Sequence, residues 1–459
     1  MKIKNIKFTA SALFVLGLTF SSCTTEDLDP STEQNKPVEG GFATVSNVEG
    51  VLSGAYSSMT ASGYYGRDVI ILNEVRSDNA FSNGNSGRFT TEASLTYNAN
   101  NGFFWGEAYN TIAIANVIIG IDNETLDGDL DYATHMKGQA YAIRALAHFD
   151  LLKQYGQQNV GGTLGVPYVT EFKGDDLYPS RGTVEENVAM IYSDLETAFS
   201  LMSDDYYDSS KQFMSKYVAK ALESRVAVYF EDWSRAISAS ESVINSQLYS
   251  IVGASAYLNS FAADSPVNSI FELAFSSTDN VGINGLAYIY RTTGGGSYGD
   301  VQVIDEVEDL YEEGDVRADV LGYEGNMLRN IGKYPDNQGF DDVIVIRYEE
   351  VILNYAEALL ESNRAGEALT QINMITSNRG ASAYTAPLTK EDILTERRKE
   401  LIFEGFRFDD LMRTGMDLEK VSAQQNFAST IPYGDSRLAL AIPLSEINAN
   451  SNIEQNEGY

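Results

Sequence analysis

Apolar residues recur every three to four positions over much of the chain, a spacing that predicts amphipathic helices. The clearest run of such positions is Met136, Ala140, Ile143, Ala147 and Leu151. Ala, Ile and Val at a similar spacing predict another helix at 104–119. Thr183 followed by Glu186 three residues later forms a capping box, which predicts that a further helix begins there.

Two segments each predict a pair of antiparallel helices joined by a short turn. The pairs are 214–230 with 233–246, and 348–361 with 364–378. A unit of about 33 residues is typical of tetratricopeptide repeats. Because each pair needs a neighbour to cover its apolar face, we expect roughly four pairs stacked into a superhelix. One more long helix is predicted from residue 390 to about 411.

The helical pattern is interrupted at 62–103 and at 251–344, which are rich in Gly, Asn, Asp and Tyr. The second segment contains two runs of β-type residues, SIFELAF at 269–275 and AYIYR at 287–291. The expected fold class is therefore mainly α: a tetratricopeptide-like helical-repeat superhelix with a loop-rich inserted subdomain carrying short β-strands. Because binding residues are commonly placed on loops held by a rigid scaffold, both segments are predicted to bind ligand.

The chain begins with the features of a secretory signal. Three lysines precede an apolar stretch at 8–20, and two serines stand before Cys23, the only cysteine. This stretch is too short to span a bilayer. Cleavage before Cys23 would leave its thiol to carry a lipid, and the arrangement resembles a bacterial lipobox with Phe20 in place of the usual leucine. A plain secretory signal with an unrelated cysteine is the alternative.

The polar, proline-containing residues after Cys23 predict a flexible tether. The expected layout is a lipoprotein signal peptide, a tether and one domain, at 1–22, 23–40 and 41–459. Within that domain we expect helical repeats at about 104–250 and 345–415.

Composition narrows the possible partners. Acidic residues outnumber basic ones 65 to 32, which gives a formal net charge of −33. Such a charge disfavours binding to nucleic acid or to an anionic membrane surface. The hydrophobic content of 43% is that of a globular protein, so the acidic residues are expected at its surface.

The sequence contains none of the motifs that would predict covalent chemistry, a metal or a cofactor. His135 and His148 lie on one predicted helix without cysteine partners. A calcium loop at 123–134 is a weak alternative to a polar loop with a helix cap, since Thr134 stands where a glutamate is needed.

Glu396, Glu400 and Glu404 recur every four residues and share one predicted helical face. A glycosidase needs two carboxylates facing each other across a sugar, which three carboxylates along one helix cannot provide. We therefore expect a buried ion-pair lattice, with the partners Arg397, Arg398, Lys399 and Arg407 standing beside these carboxylates.

A series of short motifs runs in order along the chain. They are Trp105, Ala108, Tyr109, Ile112, Ala115 and Asn116; Ala142, Arg144, Ala145, Phe149, Leu152 and Tyr155-Gly156; Arg181, Thr183 and Asp194-Leu195; Asp232-Trp233 and Ala236; Arg347, Glu350, Leu353 and Ala356-Glu357-Ala358; Glu396-Arg397, Glu400-Leu401, Phe403-Glu404-Gly405, Arg407 and Asp410-Leu411; and Ile442-Pro443, Glu446-Ile447, Asn450, Gln455-Asn456 and Gly458-Tyr459. With these motifs the chain resembles the SusD/RagB family of Bacteroidetes surface lipoproteins.

The resemblance implies a lipid-anchored protein on the outer face of the outer membrane. Such a protein captures an oligosaccharide and delivers it, without catalysis or a cofactor, to a partner TonB-dependent outer-membrane transporter. Three alternatives stay open: a peptide-binding lid of the same type of transporter, a surface glycoside hydrolase, and a repeat scaffold that binds only other proteins.

The resemblance also implies a ligand site between two loop walls. Aromatic rings there stack on the C–H faces of sugars, and polar groups bind the hydroxyls. The predicted contacts, by region and residue type, are Asn73, Arg76, Asp78, Asn79 and Tyr97 in the first wall, and Tyr290 and Tyr298 with Arg347 in the second. Tyr288 and Tyr323 are additional candidates. An Arg76–Asp78 ion pair that pins the loop, and tyrosines packed within the subdomain, are the alternatives.

Overall fold

The chain is built around a run of helices that pack one on the next. The structure, a computed structural model, describes residues 41–173, 177–293 and 298–459. All the elements discussed below belong to one compact unit, Thr44–Tyr459. The predicted signal peptide, the lipidation site Cys23 and the tether lie outside the described residues.

The helices of the described residues are α1 Val45–Met59, α2 Asp68–Val75, α3 Thr90–Ser94, α4 Trp105–Ile119, α5 Leu130–Tyr155, α6 Val184–Leu201, α7 Lys216–Tyr229, α8 Trp233–Ser246, α9 Leu286–Tyr290, α10 Tyr348–Glu361, α11 Ala365–Ser377, α12 Lys390–Leu401, α13 Arg407–Arg413 and α14 Leu444–Ala449. The strands are β1 Ala80–Ser82, β2 Ser269–Leu273, β3 Val301–Val303, β4 Leu321–Glu324, β5 Met327–Asn330 and β6 Val343–Arg347.

The long helices form the predicted superhelix. Helix α1 packs on α4, and the contacts continue from α4 through α5, α6, α7 and α8 to α10 and α11. The two predicted helix pairs are α7 with α8 and α10 with α11. The mainly α, tetratricopeptide-like fold class is therefore confirmed.

Local sequence signals explain where several helices lie. The predicted apolar stripe of α5 is buried, with Met136, Ile143 and Leu151 each 0% exposed. At the start of α6, the Glu186 amide donates to Thr183 Oγ1 at 3.1 Å, and the Thr183 amide donates to Glu186 Oε2 at 2.7 Å. This confirms the capping box. In the loop before α5, Asp129 caps the helix by accepting from two backbone amides.

The strands form three small antiparallel ribbons, β1 with β3, β2 with β6 and β4 with β5. The predicted run at 269–275 contains β2, but the run at 287–291 forms the short helix α9. This prediction was wrong because β propensity depends on packing. Four of the five side chains of α9 are buried, so a single helical turn places them in the core.

The helix predicted from 390 to about 411 is broken into α12 and α13. Between them Phe403 and Gly405 adopt left-handed φ angles of 67° and 81°. A Cβ added at Gly405 would lie 3.0 Å from Ile70 Cα, so glycine permits α2 to approach closely. The Gly405 amide donates to Glu74 Oε1 at 2.9 Å, which fastens the break to α2.

Candidate functional site

Two of the predicted ligand contacts lie in the interior beside α2. Asn73 and Arg76 are 2% and 0% exposed. Asn73 donates to the Gly405 carbonyl at 2.8 Å and accepts from Gln154 Nε2 at 3.0 Å. The Arg76 guanidinium lies 3.8 Å from the centre of the Phe408 ring. We therefore correct the prediction for these two residues, which fasten α2 to α5 and α13.

Asp78 and Asn79 fasten the loop after α2. The Asp78 carboxylate accepts from Arg407 Nε at 2.7 Å and pairs with Arg398 Nη1 at 3.0 Å. Burial would raise the pKa of Asp78, but the two guanidinium groups outweigh it and lower the pKa to about 2. Asn79 is 0% exposed and accepts from Arg398 Nε at 2.9 Å. These partners replace the expected ligand contacts and the alternative pair of Asp78 with Arg76.

Three more of the predicted contacts are buried. Tyr97, Tyr290 and Arg347 are 5%, 0% and 1% exposed. The Tyr97 hydroxyl donates to the Arg437 carbonyl, and the Tyr290 ring lies parallel to that of Tyr334 with centroids 6.4 Å apart. These side chains belong to the packed interior, as the structural alternative for the tyrosines proposed.

Arg347 is part of a buried ion-pair lattice centred on Glu400. Arg347 Nη1 lies 2.6 Å and Arg379 Nη2 lies 2.8 Å from Glu400 Oε1, while Arg317 Nη1 lies 3.3 Å from Oε2. All four side chains are 0–1% exposed. Burial would raise the pKa of Glu400, but the surrounding guanidinium groups hold it well below its usual value.

The lattice includes two further carboxylates, which confirms the interpretation of the 396–404 series as ion-pair partners. Glu396 pairs with Arg317 at 2.6 Å, and Glu404 pairs with Arg347 at 2.8 Å. The expected cations were wrong: Arg397 pairs with a carboxylate of α13 instead. Residues adjacent on a helix project in different directions, so the lattice draws its cations from other parts of the chain.

Strands β1 and β3 bring the two loop-rich segments together. Ser82 lies opposite Val301 in this ribbon, so the loop 82–88 comes beside residues 298–300. The Ser86 amide donates to Asp300 Oδ1 at 2.9 Å, and Ser82 Oγ donates to the Arg88 carbonyl at 2.7 Å. The ribbon therefore places the tip of the first loop against the second.

Tyr298, half-buried at this junction, is the predicted tyrosine that reaches the surface here. Its carbonyl accepts from Asn85 Nδ2 at 2.7 Å, and the Gly299 carbonyl accepts from Asn83 Nδ2 at 2.7 Å. The Arg88 guanidinium carbon lies 4.3 Å from the centre of the Tyr298 ring. We call Asn83, Asn85, Arg88 and Tyr298 the Tyr298 surface.

Arg88 keeps donor capacity at this surface. Its Nη1 atom is buried and has no hydrogen-bond partner within 41–173, 177–293 and 298–459. A buried donor without a partner is costly, and an ordered water is the usual partner of such an atom. The Tyr298 surface thus combines an aromatic ring, a guanidinium and two amides.

Glu324 fixes the backbone at Thr292 and Thr293. Its carboxylate accepts from the Thr292 amide and hydroxyl, each at 2.6 Å, and from the Thr293 hydroxyl at 2.7 Å. Burial would raise the pKa of Glu324, but these hydrogen bonds outweigh it and lower the pKa to about 2. The carboxylate is therefore ionised at neutral pH and serves as a fixed anchor.

The two additional tyrosine candidates differ in exposure. Tyr323 is 56% exposed, and its hydroxyl donates to Glu308 Oε2 at 2.7 Å. Tyr288 is half-buried, and its carbonyl accepts from the Tyr298 amide at 2.9 Å.

Sequence reasoning missed Asn83, Asn85 and Arg88 as site residues. The signal was present, because the SNGNSG run at 82–87 marks an exposed turn, and Arg88 follows it directly. Gly84 and Gly87 have φ angles of 72° and 82°, so the loop uses conformations that favour glycine.

Comparison with known proteins agrees with this architecture. A family model described as starch-binding and associating with the outer membrane matches residues 27–228. A second model, that of the SusD family, matches residues 327–459. The chain belongs to the SusD/RagB family.

Several known proteins are similar to this chain, over parts of it or over most of its length. A SusD-like protein from Formosa agariphila is 25% identical over 91% of this chain and 93% of its own length. The starch-binding protein SusD from Bacteroides thetaiotaomicron is 30% identical over 28% of this chain and 22% of its own length. The crystal structure of a SusD superfamily protein from Bacteroides thetaiotaomicron superposes with a TM-score of 0.83 at 26% identity, covering 90% of this chain and 100% of that one.

The family is associated with the outer membrane. Among the described residues, we find no helix with the length and apolar character needed to cross a membrane.

Proposed function

We propose that the protein binds an oligosaccharide at the Tyr298 surface and releases it uncleaved. The observation that carries this proposal is the junction of the two loop-rich segments, where the Tyr298 ring, the Arg88 guanidinium and two amides come together. The C–H face of a pyranose packs on an aromatic ring, and guanidinium and amide groups bind its hydroxyls. The starch-binding description of the family model supports a glycan as the ligand.

Calorimetric titration tests the ligand class. Maltoheptaose, xylohexaose, cellohexaose and a mixed-peptide pool are titrated into the wild type and Tyr298→Ala. We expect at least one oligosaccharide to bind, with affinity reduced roughly tenfold or more in Y298A because the stacking surface is lost. Tyr433→Ala, which removes a 40% exposed tyrosine outside the surface, is the matched control and should bind as the wild type does. Binding of peptides alone would replace the glycan with a peptide ligand.

Product analysis tests the absence of catalysis. The same oligosaccharides are incubated with the protein and their chain lengths are measured by mass spectrometry. We expect every chain to stay intact. Shortened products that disappear in a buried-carboxylate variant would identify a hydrolase.

We also propose that a TonB-dependent outer-membrane transporter receives the ligand and that a lipid on Cys23 holds the protein at the cell surface. The outer-membrane association of the family supports both parts. Affinity purification of the tagged full chain from detergent-solubilised outer membranes should recover such a transporter in stoichiometric amounts. Recovery of the protein alone under conditions that preserve membrane complexes would contradict the partnership.

A further inference from the structure

A groove between α1 and the end of β2 is separate from the Tyr298 surface. It is open to solvent, has a volume of about 160 Å³, and is lined on one side by Ser57 of α1 and on the other by Gln212, Phe213 and Asp279. None of the four residues of the Tyr298 surface lines it. The groove is therefore a separate feature of the protein.

Phe213 offers a fixed aromatic platform in this groove. The ring is 38% exposed, unusually open for a phenylalanine, and it meets the Tyr56 ring edge-on at 5.2 Å and 90°. Tyr56 is itself locked, because its hydroxyl donates to Gln139 Oε1 at 2.5 Å and accepts from the Met214 amide at 2.8 Å. The Phe213 amide donates to Asp208 Oδ2 at 3.2 Å. The Phe213 ring is therefore held by its contact with Tyr56 and by the hydrogen bond of its backbone amide to Asp208.

Three polar side chains around the ring keep their hydrogen-bonding capacity. The Ser57 hydroxyl, the Gln212 amide and the Asp279 carboxylate form no side-chain hydrogen bond or ion pair within the part of the chain that the structure describes. Together they supply donors and acceptors near an apolar face, which is the combination that a sugar ring requires.

The charge of the groove favours a neutral ligand. Its lining contains no lysine or arginine, and Asp279 contributes a negative charge. With a formal net charge of −33 on the chain, an anionic ligand would be repelled. A neutral molecule rich in hydroxyl groups matches both the charge and the free polar atoms.

We propose that this groove is a second carbohydrate site, which takes a neutral oligosaccharide segment with one pyranose on the Phe213 ring and its hydroxyls on Gln212 and Asp279. The inference rests on the proposed glycan-binding function and extends it. Two sites on one chain raise the apparent affinity for a long polysaccharide, because the second contact is made within an already bound complex.

Hydroxyl-radical footprinting of the full chain reads the two sites separately. Maltoheptaose, xylohexaose and cellohexaose are the probes, and oxidation of Phe213 and Tyr298 is quantified by peptide mass spectrometry. We expect a bound probe to reduce oxidation of both rings about threefold or more. In Tyr298→Ala, protection of Phe213 should persist, since the groove does not include Tyr298.

Retention on polysaccharide gels provides the second readout. Phe213→Ala and Asp279→Asn should each weaken binding of the matching polysaccharide, starch, xylan or β-glucan, by roughly tenfold for the ring and less for the carboxylate. Tyr433→Ala again serves as the exposed aromatic control and should leave retention unchanged. Because Phe213 is exposed, the variant should fold, which its melting temperature checks.

The outcomes separate the two proposals. Protection of Tyr298 without Phe213, or unchanged retention of F213A, overturns the second site and leaves the proposed function standing. Protection of Phe213 without Tyr298 supports the groove and contradicts the Tyr298 surface. Protection of neither ring by any of the three sugars overturns both proposals.

Discussion

Replacing Glu400 with glutamine tests whether the buried carboxylates serve the fold. Glu400 is 0% exposed and accepts hydrogen bonds from Arg347 at 2.6 Å and from Arg379 at 2.8 and 2.9 Å. Removing the charge of one partner from a buried ion pair costs about 3–5 kcal/mol. For a unit as large as Thr44–Tyr459, roughly 1 kcal/mol corresponds to about 1 °C in melting temperature. We therefore expect E400Q to melt roughly 3–5 °C below the wild type.

Thermal unfolding by circular dichroism measures this loss, and calorimetric titration at 10 °C measures glycan binding by the folded variant. Binding should be unchanged, because Glu400 is enclosed within the protein. Glu367→Gln is the matched control, since its ion pair with Arg364 at 2.7 Å is exposed and should contribute little. An unchanged melting temperature for E400Q would refute the structural role. Lost glycan binding at full folding would place the lattice in the site.

The remaining predictions concern pH, backbone and membrane attachment. Burial, followed by the charges of Glu272 and Asp264, raises the pKa of Asp342 to about 7. The ordinary pKa of this carboxyl is 3.8, so between pH 3.8 and about 7 the folded state binds more protons than the unfolded state. The free energy of unfolding therefore declines as pH rises through this window. Asp342→Asn should reduce the difference between the free energies of unfolding measured with urea at pH 5 and at pH 8. A difference as large as that of the wild type would contradict this prediction. Gly405→Ala forces an L-residue to a φ of 81° and should cost roughly 1–3 kcal/mol in the same assay, whereas wild-type stability would refute the strain. Cys23→Ala should abolish labelling by radioactive palmitate and release the protein from the membrane fraction; retained label would contradict lipidation at Cys23.

The helical part of the fold was predictable because its signals are local. The apolar spacing of α5 and the capping box at Thr183 each involve residues within a few turns of one another. The break between α12 and α13 was not predictable in the same way. It depends on contact between Gly405 and Ile70, which are distant in sequence.

The candidate site was also hard to predict, because its geometry depends on contacts between residues that are distant in sequence. Tyr290 and Tyr298 lie eight residues apart in one loop-rich segment, yet Tyr290 packs beside Tyr334 while Tyr298 reaches the surface beside Arg88. Residue type alone does not distinguish them. Arg347 was expected in a ligand pocket, but its carboxylate partners Glu400 and Glu404 follow more than fifty residues later in the chain.

A crystal structure of the wild type with the oligosaccharide that binds most tightly tests directly whether the Tyr298 surface binds a glycan. We predict an intact sugar with one pyranose ring stacked on Tyr298 at about 4 Å and hydroxyls within hydrogen-bond distance of Arg88, Asn83 or Asn85. A sugar bound elsewhere while the Tyr298 surface stays empty would contradict binding at this surface, and a cleaved product in its place would contradict binding without catalysis.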